Sequence, residues 1–296
     1  MTKAVIALLF ISGSAFAQTS AYQTADSNTS IFLNNANGNL IFNVSDSRFT
    51  VGYLHEGAGR RTLLFGFDLT GTPSASLATQ IFQKGPNPPS LGGAASIGLH
   101  SMFALDPADQ SADGHLRDDW ALVQFTFSRS SFNLANDPNA QPQQVHFDEY
   151  KVLAVYNALV NVPHVGLLLG GAIGVHRTNN VNDLEPVTIN TPVLQSSAGV
   201  SPSFVAVQQD NGYFGAYNSF VGIPIYTDVV IIPKRSSWIN LDLFTRSSAA
   251  SSNRHFEGGV GLFVAKPENP TAVLGGLTVG WKSGVPTWAL VAGWSF

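Results

Sequence analysis

The chain has 296 residues, a net charge of −4 and 11% Asp, Glu, Lys and Arg, far below the roughly 25% of ordinary soluble domains. It holds no cysteine, so in an exported chain stability must come from the sheet itself and not from disulfides. No basic cluster with interleaved aromatics is present, which argues against a nucleic-acid partner.

The N-terminus reads as an export signal. Lys3 gives a positive start, Ala4–Ile11 an apolar core and Ala15-Phe16-Ala17 a small-residue cleavage site, the three parts of a secretory signal peptide. The apolar core is too short for a helical membrane anchor, which needs about 20 residues. A signal peptide over 1–17, a tether over 18–30 and a β domain over 31–296 are therefore expected.

No later apolar run reaches helical spanning length; Val165–Val175 is broken by four glycines. The remainder of the chain alternates instead. In Leu63–Leu69 the large set is Leu63, Phe65, Phe67 and Leu69, against Leu64, Gly66 and Asp68. Ala121–Ser128, Val165–His176, Ile239–Arg246, Phe256–Val264 and Val273–Lys282 repeat the pattern. A period of two is the strand period. A soluble sandwich also alternates, but it would turn Lys, Glu and Arg toward water. Here the second face is mainly Gly, Ala, Ser and Thr, which suits a concave wall.

The final segment, Val285–Phe296, is the most informative. Trp288, Leu290, Ala292, Trp294 and Phe296 fall on one face, with Thr287, Ala289, Val291, Gly293 and Ser295 interleaved. Aromatics near both ends of an aliphatic strand fit two membrane interfaces. This resembles the closing strand of Gram-negative outer-membrane β-barrels, with no specific family indicated beyond porin-like. The resemblance implies an all-β, transmembrane antiparallel up-and-down barrel in the cell outer membrane. It implies a lipid bilayer and lipopolysaccharide as surroundings, and an assembly machinery that reads the C-terminal strand. Trp281, Trp288, Trp294 and Phe296 are the expected interface aromatics.

Loop lengths give a count. Thr72–Gly92, Ser130–Gln144 and Thr178–Val193 are long, and all three fall at one mouth if Ile31–Ser45 contributes one strand and Leu194–Ile232 three. That gives fourteen strands. The alternative is twelve, with Tyr213–Ile232 a single strand and Ile31–Ser45 a plug or tether. Asp106–Asp118 is long for a turn at the other mouth, and Asn37-Gly38 could be a hairpin turn.

No nucleophile or cofactor signature is present. Gly57-Ala58-Gly59 lacks the third glycine of a dinucleotide loop, and Ser96 lacks the first glycine of a nucleophile elbow. The seven histidines show no tight metal spacing, so no metal or cofactor is expected, although His146 and Asp148 could share a strand face. Asp113-Gly114-His115 with Asp118-Asp119 reads as an exposed loop.

A charge facing lipid is costly, so Asp68, Asn240, Asp242, Arg246, Glu257 and Lys282 are expected to face inward, as structural pairs or as pore-lining residues. The leading function is a passive channel for small hydrophilic solutes, its inward glycines leaving room. The alternatives are a surface enzyme acting on lipid or peptide, or an adhesion or structural barrel. Uptake of apolar substrates past Leu64, Leu122, Leu168 and Phe263 is a further possibility.

Overall fold

A computed structural model of the chain describes residues 19–22, 32–35, 39–43, 48–56, 61–72, 90–104, 116–135, 142–162, 164–181, 184–195, 204–234, 238–250, 254–266, 269–282 and 285–295. Its described residues form sixteen strands. In chain order these are β1 (Thr19–Tyr22), β2 (Phe32–Asn35), β3 (Asn39–Asn43), β4 (Arg48–Glu56), β5 (Arg61–Thr72), β6 (Ser90–Ala104), β7 (Leu116–Ala135) and β8 (Gln143–Val162). They continue as β9 (Val165–Asn179), β10 (Glu185–Gln195), β11 (Phe204–Phe214), β12 (Ser219–Pro233), β13 (Ile239–Ala250), β14 (Arg254–Lys266), β15 (Asn269–Lys282) and β16 (Val285–Ser295). The predicted signal peptide and Phe296 lie outside the described residues.

The pairing closes on itself. β3 to β9 follow one another antiparallel, β9 pairs with β12, and β12 to β16 continue until β16 pairs with β3. Closure leaves no edge strand in the ring, so every rung of the wall is paired. Fourteen strands belong to this sheet, but only twelve close the barrel. The other two, β10 and β11, form a hairpin that joins the end of β7 in parallel through Tyr213 opposite Leu134 and Phe214 opposite Ala135.

The fourteen-strand count is thereby corrected. Leu194–Ile232 supplies one wall strand, β12, while its other strand material belongs to the hairpin. Removing two strands keeps the parity, so the expected sidedness survives: the connections β5–β6, β7–β8 and β9–β12 all open at one mouth. We call this the far mouth; the near mouth holds the start of β3 and the end of β16. Ser130–Gln144 is mostly strand, because β7 and β8 run on to Ala135 and from Gln143. The Asn37-Gly38 turn lies outside the described residues; β2 pairs with β1 in a separate small sheet. That sheet approaches β15 on one wall and β7 and β8 half the ring away, which places it between the two walls.

The alternation sets the faces. Leu63, Phe65, Phe67 and Leu69 are exposed, while Thr62, Leu64 and Asp68 are buried. The same holds for Val123 and Phe125 against Leu122, Gln124 and Thr126 on β7, and for Leu241 and Leu243 against Asn240, Asp242 and Phe244 on β13. The large residues look outward and the mixed set inward.

Candidate functional site

The outer surface is an apolar belt with polar borders. On β7 the outward column reads Arg117, Asp119, Ala121, Val123, Phe125, Phe127, Arg129 from near to far mouth. Arg117 Nε donates to Asp119 Oδ1 at 2.8 Å, and its Nη2 donates to the Tyr156 hydroxyl at 2.9 Å. At the far border Arg129 faces Asp148 at 3.7 Å, and Phe127 packs on Tyr150. Asp148 therefore faces Arg129 and does not share a cation site with His146. Trp281 is exposed at the far border, and Trp238, which sequence reasoning passed over, is exposed at the near one. Trp288 and Trp294 sit opposite Val279 and Leu40. The hydroxyls of Thr227 and Thr245 satisfy one another within the belt at 2.8 Å.

The interior carries apolar and polar groups side by side. Toward the near mouth, Leu64, Trp120, Leu122, Leu153, Leu168 and Val230 pack into one cluster. Leu64 is 1% exposed and Leu153 0%, so this stretch of the inner wall is closely packed. On β14 and β15 the inward glycines do not leave open room. Phe244 and Phe263, each 3% exposed, lie over the glycines of β14 and β15. A methyl at Gly259 would come 2.7 Å from Phe244 Cζ, and one at Gly261 would come 2.6 Å from Phe263 Cε2.

Beside this apolar cluster the wall is polar, with Asp242 standing directly opposite Val230. Asn240 and Asp242 are fully buried, and Asp228 is buried near Asp242 and Arg246. Arg246 stands opposite Glu257, and Glu257 opposite Lys282, so three of the predicted residues share one row with alternating charge. Opposite charges on adjacent strands stabilise a sheet by roughly 0.2–1 kcal/mol each. Asp68, on β5, is buried and inward but half a ring away from β13.

Sequence reasoning missed Asp228, Lys151, Asn157 and Glu149 as inward groups, and placed Gln124 and His176 on the inward set without singling them out. Glu149 accepts from Ser128 Oγ at 3.1 Å and also pairs with His176 Nε2. The carboxylate thus stands between hydroxyl and imidazole, whereas a serine nucleophile needs the imidazole at the hydroxyl itself. His100 stacks on Trp120 with ring centroids 4.7 Å apart. Among the described residues no three His, Asp or Glu side chains gather as a metal site.

At the far mouth the hairpin leans inward. Phe132, Leu134 and Phe147 continue the inward faces of β7 and β8, and Tyr213 of β11 and Val181 pack on them. Phe132 meets the Tyr213 ring edge-on at 6.0 Å. The pairing of β11 with β7 beyond the end of β6 puts Tyr213 on the same face as Leu134, which is why they pack together. Burial pushes the Tyr213 phenol up to about 12 and raises Tyr217 as well, the latter offset by nearby Arg177.

No protein-family model matches the chain. No curated protein matches it. Among solved structures, the chain is similar to the crystal structure of the β domain of the Bordetella autotransporter BrkA, at 10% identity and a TM-score of 0.35, over 88% of this chain and 97% of that one.

Proposed function

We propose that this protein is an outer-membrane β-barrel, and that its polar interior is a path for small hydrophilic solutes held shut at the near end. The observation that carries the membrane reading is the outward belt. It runs across the described wall from Phe65 and Phe67 through Val123 and Phe125 to Val260 and Leu262, with charged pairs at both borders on β7. A water-soluble barrel would leave these side chains exposed to solvent far beyond the apolar patch a monomer tolerates. Only helices and closed barrels satisfy the backbone inside a bilayer, and this ring is closed. The same reading makes the bilayer and lipopolysaccharide its surroundings, and β16 the strand presented to the assembly machinery.

The channel part rests on the inward ionisable residues. Asp228, Asp242, Arg246 and Glu257 in a membrane-spanning wall mark a solute or ion path by default, and the row of alternating charge would set its weak selectivity. The seal of Leu64, Trp120 and Leu168 makes this a gated path, not a standing pore. Planar-bilayer recording with purified protein tests both parts. The wild type is expected to be near-silent, and Trp120→Ala to conduct. A wild type with a large steady conductance would remove the seal. If folded wild type and Trp120→Ala both pass no current, the barrel is an anchor for its far-mouth loops.

A further inference from the structure

The outward belt is not uniform. Along most of it each rung carries a large side chain, but three adjacent outward positions, Ala121, Ala154 and Gly171, are small. Register sets them together: Ala121 faces Tyr156, Tyr156 faces Gly171, and Ala154 faces Ile173 on the next rung. The result is a groove of about 720 Å3 crossing β6, β7, β8, β9 and β12, with Leu99 toward one end and Ile225 toward the other. Its lining is almost wholly apolar. Of its three hydroxyl-bearing residues, Thr227 is satisfied by Thr245, Tyr226 packs against the inward apolar cluster, and the third is Tyr156.

The Tyr156 hydroxyl leads to a cation. Arg117 is fixed by two bonds, Nε to Asp119 and Nη2 to Tyr156. Its side chain is still 42% exposed, just outside the belt on the near-mouth border. A guanidinium carries five N–H donors in a rigid fork, and these two bonds leave others for a further acceptor. An apolar slot within the belt, whose Tyr156 is bonded to an oriented arginine at the near-mouth border, matches a molecule with a hydrocarbon tail and an anionic head. Planar forks pair well with phosphate oxygens.

We infer that this groove binds one phospholipid of the leaflet on the near-mouth side, an acyl chain lying over Ala121, Ala154 and Gly171 and the headgroup phosphate on Arg117. The inference rests on the membrane reading above and goes beyond it by assigning a specific lipid site. Wild type, Ala154→Leu, Ala154→Phe and Arg117→Gln are refolded into vesicles of phosphatidylethanolamine and phosphatidylglycerol. Folding is scored by heat-modifiable gel mobility, and retained phospholipid by native mass spectrometry after gentle detergent release. One phospholipid is expected on the wild type, with occupancy reduced about tenfold in the groove-filling variants and in Arg117→Gln. Equal retention by all folded proteins overturns the site. So does a wild-type dimer that the groove-filling variants abolish, because the groove is then a contact between copies. A wild type that gains no heat-modifiable form in vesicles defeats the membrane reading itself.

Discussion

Gly259 and Gly261 stand two residues apart on the same inward face of β14, yet the space above them is closed differently. A methyl at Gly259 would lie 2.7 Å from both Phe244 Cζ and Gly280 Cα, so one neighbour is a ring and the other is backbone. At Gly261 the obstacles are side chains, Phe263 Cε2 at 2.6 Å and Thr278 Cγ2 at 3.1 Å. Overpacking a closed core costs typically 1–3 kcal/mol, so each glycine-to-alanine change destabilises the barrel by about that much. Trimming the ring separates them: Phe263→Leu rescues Gly261→Ala, whereas Phe244→Leu leaves Gly259→Ala impaired. Urea unfolding of the single and double variants in vesicles reads both cycles. These glycines were legible as an inward stripe, but their meaning was not. The same alternation that puts Gly259 and Gly261 inward puts Phe263 there too, and spacing along a strand does not reveal which way a ring lies.

At the scale of the strand, β7 shows how far alternation reaches. Ala121, Val123, Phe125 and Phe127 are outward as expected, and the chemistry of the two faces predicts opposite responses to the same change. Val123→Arg puts a guanidinium into the belt and is expected to cost roughly 2–4 kcal/mol near the bilayer midplane, seen as a lower urea midpoint. Leu153→Ala, on the inward face of β8, leaves a cavity in the seal and is expected to cost about 2–5 kcal/mol by the same measurement. The inward groups of β8 and β12 escaped detection for a simple reason. Gln143–Val162 mixes Glu149 and Lys151 with long apolar residues, and Ser219–Pro233 carries Asp228 within a segment split by its prolines. Neither gives the clean two-set pattern of Leu63–Leu69.

The β10–β11 hairpin has its own test. The buried Tyr213 phenol titrates near 12, against about 10 for a solvated tyrosine, because the folded hairpin holds the neutral form. Its contribution to docking is therefore complete below about pH 10 and is lost as pH rises through about 12. Alkaline absorbance titration should show one late-ionising tyrosine, and Tyr213→Phe should delete that step.

For the whole molecule, the barrel and its sidedness were readable because they depend on parity and period, which a two-strand miscount leaves intact. The number of wall strands was not, since β10 falls mostly within the stretch read as the Thr178–Val193 loop, and only long-range pairing excludes β11 from the ring. The inward apolar cluster was also out of reach, because Leu64, Trp120 and Leu168 come from three separate strands and meet only once the ring has formed.

The ring is also unevenly fastened. β7 and β8 run 20 residues each, while β16 holds β3 through Asn39–Asn43 alone, all five residues of that strand. A cylinder zipped so briefly along one line should begin to fray there. Amide protons of Leu40–Phe42 and Val291–Trp294 should exchange with solvent sooner than those of β7, and the chain's first and last turns at the wall would part while the rest still holds its curvature.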